Sequence, residues 1–385
     1  MITLVKNTID NNDIDRLVEW LKTYPRLTKG PVTKQFEKKW SDWQGCWHTI
    51  FCNSGSSANL LMFQTLIEAG RLKVGDKVVV PALSWATDLS PVIQLGLEPI
   101  ICDVNLNDLS VNIENLEQIF TNIDVKCLIL VSVLGLSPKM KEIVDLCEKY
   151  NVTLLEDACE SMGTLYNNDK LGNFGVMSSF STYFGHHMST IEGGLVCTSD
   201  DELANICTSI RSHGWDRDLP EIVRESLRKE WNVSKFDALY TFYYSGFNVR
   251  STDLQAYIGL SQIDKLDNAI EMRNYNYSLY RDNLKVSWWP KNYSDTYISN
   301  FAIPLIEPNR EKIVSNLINN NIEVRPLICG SMPRQPFYKK YVKSTSTTKL
   351  PNASTVDKFG FYVPNHPELT KDEILFVCEK INEAV

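Results

Sequence analysis

The sequence predicts an α/β fold: a mostly parallel central sheet with helices on both faces, followed by a smaller C-terminal α/β domain. Three features say so. Short apolar runs ("DKVVVPAL", "LEPIICDV", "VKCLILVSV", "VTLLEDAC") alternate with helix-length amphipathic stretches through the first half of the chain. The runs are continuously apolar rather than alternating, as strands covered on both faces must be. A length of 385 residues suits one large α/β domain plus a second, smaller one.

Taken in order, "NSGSSANLLMFQTLIEAG" sets small residues ahead of a strong helical pattern. "ENLEQIF" and "SPKMKEIVDLCEKY" carry apolar residues at 3–4 spacing and serve as crossover helices between parallel strands. "SFSTYFGHHMSTIEGG", Ser179 to Gly194, reads as a buried strand, a turn and a glycine doublet after an acid, with two of the five histidines at its centre. Leu203 to Tyr240 is charged and predicts irregular structure after a short helical start. A long helix follows "GFNVR", with apolar residues at Leu254, Ile258, Ile263, Leu266 and Ile270. It leads into strands ("YISNFAIPL", "NIEVRPLI") and helices ("PNREKIVSNLINN", "TKDEILFVCEKINEA"). The expected division is a large domain over 1–250, including the N-terminal segment, and a connecting helix with the small domain over 251–385.

Composition narrows the function classes. A net charge of −8 and a pI near 5.3 argue against a nucleic-acid or membrane-surface partner, though not against a small phosphorylated ligand. No apolar run reaches the roughly 18 residues of a spanning helix, and the first residues lack a signal-peptide pattern. The ten cysteines are scattered, many within apolar strands, and read as reduced thiols of a cytoplasmic protein. No C-x-x-C pair points to zinc, and the expected metal content is none.

In parallel sheets ligands sit beyond the carboxyl ends of the strands, so chemistry is sought in "PALSWAT", "DVNLND", "LGLSPK" and "EDACESMG". Ser56 and Ser57 at a helix start either cap the helix or, with its N–H groups, cradle a phosphate. Asp157, closing "VTLLED", is either a solvated loop acid or a buried carboxylate that needs a cation, for which a protonated heteroaromatic nitrogen would serve. Trp85 plugs the sheet's end or stacks on a flat ligand. Of His186 and His187, adjacent on a strand, at most one can face a given site.

Order and spacing add what the single features lack. "GSSANLL", "VPALSWAT", "LLEDACESMG", "SFSTYFGHHMSTIEGG", "RSHGWDR" and "GFNVRSTDLQAYIGLSQ" together resemble the sugar aminotransferases of the DegT/StrS group, along essentially the whole chain. The resemblance implies the fold type I architecture of transferases dependent on pyridoxal phosphate (PLP), acting on nucleotide-linked keto sugars. The group's pattern is S-x-x-x-x-K-x-x-x-x-x-E-G-G, whose lysine bonds PLP covalently. Its serine falls on Ser181 and its acid on Glu192, but the lysine position is His186. The nearest lysine, Lys170, is out of register.

Imidazole makes no stable covalent link to PLP, so the departure implies a cofactor held non-covalently as PLP or pyridoxamine phosphate (PMP). Within the group, this pattern resembles the 3-dehydratases of deoxysugar pathways that work without an iron–sulfur cluster. Only Cys197 and Cys207 lie between the histidines and Cys329, too few for a four-thiolate cluster. The implied reaction removes the C3 hydroxyl of a nucleotide-linked 4-keto-6-deoxy sugar, a GDP-linked mannose derivative by resemblance, with L-glutamate restoring PMP and ammonia released.

The resemblance makes His186 the base and leaves His187 facing away. It gives Ser56, Ser57 and Ser181 to the phosphate, Asp157 to the ring nitrogen and Trp85 to the ring face. Glu160 would support a ring oxygen or a neighbouring polar group. Asn248 would reach the phosphate of the neighbouring subunit, requiring a homodimer, and Arg250 and Arg325 would contact glutamate or the sugar diphosphate. Two other functions fit the same fold: an ordinary 4-aminotransferase using another lysine, and a silent protein that only holds PLP or a sugar nucleotide. The segments 217–235 and "RPLICGSMPRQPFY" are where substrate choice would be decided.

Overall fold

Seven strands form the central sheet of the computed structural model, which describes residues 1–291, 293, 295–343 and 349–385. They are β1 (His48–Cys52), β2 (Lys77–Pro81), β3 (Glu98–Cys102), β4 (Val125–Val131), β5 (Thr153–Asp157), β6 (Met177–Ser181) and β7 (Gly194–Thr198). The spatial order is β1-β7-β6-β5-β4-β2-β3. Neighbours from β6 through β3 run parallel, and β7 runs antiparallel to both β1 and β6. The four apolar runs read from the sequence are β2, β3, β4 and β5. The side chains of β2, β4 and β5 are nearly all buried, as helices on both faces require, whereas β3, the edge strand, buries only Ile101 and Cys102.

The helices of this half are α1 (Asn11–Leu21), α2 (Pro31–Gln44), α3 (Gly55–Glu68), α4 (Ala86–Gln94), α5 (Ile113–Asn122), α6 (Met140–Tyr150), α7 (Asp201–Ile210) and α8 (Glu221–Glu230). The expectation of irregular chain from Leu203 to Tyr240 holds only in part, because α8 lies inside it. That helix, "EIVRESLRKE", buries none of its residues, so it lacks the core stripe by which a helix shows itself in sequence. The long helix α9 (Asp253–Asn283) buries Ile258, Ile263, Leu266 and Ile270 and packs along α2. Beyond it, β8 (Ile303–Ile306), β9 (Arg325–Pro326) and β10 (Gly360–Val363) form an antiparallel sheet in the order β8-β10-β9.

The first residues attach to this C-terminal part. Ile2 bridges Ile322, and the Leu4 N–H donates to Glu323 at 2.8 Å. Among the described residues no helix is long and apolar enough to cross a membrane, and no group of three or more His, Cys, Asp or Glu could hold a metal ion.

The sheet's parallel strands end on one edge. Asp157 is the last residue of β5, Ser181 the last of β6, and Trp85 follows β2 as the residue that precedes α4. Topology alone therefore gathers residues distant in sequence at the place where such sheets bind ligands.

Candidate active site

At that edge lies a cavity of about 300 Å³. One wall is the start of α3, with Ser54, Gly55 and Ser56; the opposite wall carries Tyr183, Gly185, His186 and Glu192. Asp88, Asp157 and Glu160 form the floor, and Trp85, Phe301, Ile328 and Tyr362 complete the enclosure.

The phosphate-sized end follows from helix chemistry. The Ser54 side chain caps α3 by accepting the Ser57 N–H at 3.1 Å, and its hydroxyl donates to the Ser57 hydroxyl at 3.1 Å. The N–H groups of Gly55 and Ser56 open the helix, where no intrahelical acceptor exists and an anion is favoured. Gly55 is required for the approach: a Cβ there would meet the Ser181 Cβ at 2.7 Å. Ser56 and Ser181 thus face each other across the cradle, whereas Ser57 is tied back to Ser54 and does not line the cavity.

The floor is acidic. Asn59, one turn into α3, donates from its amide to Asp157 at 2.7 Å and to Asp88 at 3.1 Å. The same side chain accepts from the Ser179 hydroxyl at 2.5 Å. Asp157 also accepts the Cys159 N–H at 2.9 Å. Burial, then the neighbouring Asp157 charge, pushes the Asp88 acid well above the usual carboxylate range. Two buried carboxyls beside one amide complement a cationic group.

Glu160 holds the Leu134 N–H at 2.7 Å, and burial pushes its acid up to about 7. Glu156, next to Asp157 in sequence, does not line the cavity. It accepts the N–H groups of Gly172, Phe174 and Gly175 at 2.7–2.8 Å and organises a loop instead of the cavity.

The two histidines lie in a turn after β6 rather than on the strand, so alternation along a strand does not separate them. They part nonetheless. His186 lines the cavity beside Phe301, its ring centroid 5.3 Å from that of the phenyl, and its Nδ1 is buried with no partner among the described residues. Burial, helped by the Arg273 guanidinium and opposed by Asp157, lowers its pKa to about 4, so the ring is neutral at pH 7. His187 points behind the wall. Its Nε2 donates to the Ser299 carbonyl at 3.1 Å and lies 3.0 Å from the Ser299 hydroxyl.

Three bulky apolar residues around this cavity hold left-handed backbone: Leu134 at φ 50°, Ile191 at φ 71° and Ile328 at φ 48°. Such conformations are costly for branched side chains and concentrate at functional sites.

Of the residues singled out from sequence, Ser56, Trp85, Asp157, Glu160, Ser181 and His186 come together in one cavity. Asn248 and Arg250 lie outside it, joined to each other by an Nε–Oδ1 bond of 3.0 Å, and Asn248 is exposed. Arg325 is exposed on β9, beside Glu323 at 3.8 Å. Sequence reading missed Ser54, Asn59, Asp88, Tyr183, Phe301 and Tyr362. Asp88 carried a signal, since it follows Trp85 by one helical turn just past a strand end. Phe301 and Tyr362 carried none, because the C-terminal part brings them in from afar.

The cavity fits PLP or PMP. An anion cradle that a Cβ at Gly55 would fill, a paired-acid floor suited to a ring nitrogen cation, and an exposed indole at its mouth, Trp85 at 58 %, match phosphate, pyridine nitrogen and ring face. Among the described residues no lysine lines it. Lys170 sits over the Trp43 ring at 4.3 Å and donates to the Trp43 carbonyl.

Comparison with known proteins agrees with this construction. Residues 7–382 match the DegT/DnrJ/EryC1/StrS aminotransferase family. The chain belongs to this family.

Within the DegT/DnrJ/EryC1/StrS family it is 34 % identical over 361 residues to the GDP-4-keto-6-deoxy-D-mannose 3-dehydratase of Escherichia coli O55:H7, covering 92 % of each chain. It is 32 % identical to the enzyme of the same name from Yersinia pseudotuberculosis, covering 94 % of this chain and 93 % of that one. A solved GDP-4-keto-6-deoxymannose-3-dehydratase with a trapped PLP-glutamate geminal diamine superposes with a TM-score of 0.91 at 32 % identity, covering 99 % of this chain and 100 % of that one.

Proposed function

We propose that this chain is a PLP/PMP-dependent 3-dehydratase that removes the C3 hydroxyl of a GDP-linked 4-keto-6-deoxy sugar, with L-glutamate restoring the amine form and ammonia leaving. The observation that carries the reading is the imidazole of His186 on the cavity wall, with no lysine lining the same cavity among the described residues. It is supported by relatives named for this reaction across nearly the whole chain.

When bound, the cofactor supplies an electron-accepting ring and an amine that engages the sugar ketone. The chain's own residues do the rest. Asp157, with Asp88 beside it, would hold a positive ring nitrogen; Ser56, Ser181 and the first N–H groups of α3 would hold the phosphate; Trp85 would cover the ring. His186, uncharged at pH 7, accepts a proton on its imidazole. Lacking a primary amine, it leaves the cofactor untethered. Glu160, near neutral in its acidity, is placed to hold a polar group of the cofactor or substrate.

A homodimer belongs to the same reading. Asn248 is exposed and away from its own chain's cavity, and Phe236, Leu239, Tyr240 and Phe242 on the nearby 231–242 segment are exposed apolar side chains. Exposed apolar side chains gathered in one segment support an interface there. We take Arg250 and Arg325 as anion contacts, the chain to divide near residue 250, and the protein to work in the cytoplasm.

The test is mass spectrometry of products from a panel of 4-keto nucleotide sugars incubated with the protein, PLP and L-glutamate. A product lighter by one oxygen at C3, with 2-oxoglutarate and ammonia, supports the reading. An amino sugar that keeps its C3 oxygen overturns it.

A further inference from the structure

Away from the cavity, at the opposite end of the sheet's edge strand, two thiols converge that the reaction does not use. Cys46 lies in the corner between α2 and β1, half-buried, and Cys197 lies on β7, buried, opposite Thr49 in the β1–β7 register. The Thr49 hydroxyl is 3.6 Å from each sulfur. It also bonds the Ser41 hydroxyl at 2.8 Å, which is itself 3.9 Å from the Cys46 sulfur. The Trp40 indole N–H donates to the Cys197 sulfur at 3.2 Å. The Cys46 thiol donates to the His48 carbonyl at 3.4 Å, and around these polar contacts the pair is enclosed by the apolar cluster that includes Trp40, Phe51 and Phe180.

We propose that Cys46 and Cys197 are a reversible thiol–disulfide pair, with Cys46 the thiol that a hydroperoxide oxidises and Cys197 the thiol that closes the bond. The chemistry balances in two steps. The Cys46 thiolate attacks one peroxide oxygen, forming the S–O bond of a sulfenic acid and releasing hydroxide (or the alcohol) as the O–O bond breaks. The Cys197 sulfur then displaces that oxygen, which leaves as water with the Cys197 proton. Two electrons pass from the two sulfurs to the peroxide.

Hydrogen bonding from Cys197, ahead of the opposing effect of burial, draws the Cys46 thiol down to about 6. Burial raises every other thiol among the described residues, Cys197 included. Of the two thiols Cys46 is therefore the more acidic and, being half-buried where Cys197 is buried, the one that can be reached.

The experiment is graded hydrogen peroxide on the purified full chain, then alkylation in denaturant, digestion and mass spectrometry. The expected result is a peptide joining Cys46 to Cys197 at the lowest effective peroxide, with two fewer alkylated thiols than the ten present and full recovery on adding dithiothreitol. Cys46→Ser should slow the first thiol loss about tenfold. Cys197→Ser should leave Cys46 oxidised but unlinked, and matched thermal melts of both variants establish that they fold. A Cys46 that stays alkylatable while other thiols oxidise, or that passes to sulfinic acid in the wild type without joining Cys197, overturns the proposal.

Discussion

His186 and His187 are the same residue one position apart, both depressed in pKa by burial, yet they belong to two different regions. In front of the turn lies the cavity, where the His186 ring has no partner at Nδ1 among the described residues. Behind it lies a packing layer in which His187 holds Ser299, while Arg273 donates to the carbonyls of Asn300 and Phe301 at 3.1 and 2.9 Å. The same sorting separates Asp157, on the cavity floor, from Glu156, which ties down a loop. Residue type does not decide between chemistry and architecture; the face of the wall does.

Substitutions sharpen this contrast. The largest effect is expected at His186: H186N removes the proton acceptor and should lower the dehydration rate about 10²–10⁴-fold with the melting temperature little changed. H186K should do the same and also restore a covalent cofactor link, visible as a stable long-wavelength absorbance. D157N should cost about a hundredfold in rate, since it removes the charge facing the ring nitrogen. Its neighbour behaves oppositely: E156Q should retain most activity per folded molecule but lose about 1–3 kcal/mol of stability in denaturant unfolding, because an amide nitrogen cannot accept the N–H it would face. H187L should show a similar stability loss, from the lost bonds to the Ser299 carbonyl and hydroxyl, with a smaller activity effect that H187Q reverses.

The smallest effect is the pH dependence of stability. A histidine whose folded pKa is about 4 against an ordinary 6.5 binds fewer protons folded than unfolded, so its contribution is present above pH 6.5 and lost as pH falls toward 4. Wild type should therefore lose stability more steeply than H186N across that interval. Equal slopes would place the imidazole in a wetter setting than the cavity wall.

The same contrast explains what was legible in the sequence. The parallel strands announced themselves because burial on both faces demands unbroken apolar runs, and their ends marked Asp157 and Trp85 as sites of chemistry. Helix α8 was hidden because it buries nothing, with Ile222 78 % exposed. Ser56 was readable from a helix start, but whether Ser57 shares its role turns on the Ser54 cap, a local geometry that composition does not specify. Asn59 looked like any residue of a buried helix until the fold laid it against Asp157. Tyr362 and Phe301 reach the cavity only through packing of the C-terminal part, and no local pattern encodes that approach.

The central claim is that an imidazole replaces the tethering amine, and borohydride reduction of the PLP-loaded protein followed by intact mass measurement tests it most directly. The expected spectrum is that of the bare polypeptide, with H186K gaining the mass of one reduced cofactor. A cofactor mass fixed to any side chain of the wild-type chain would contradict the account.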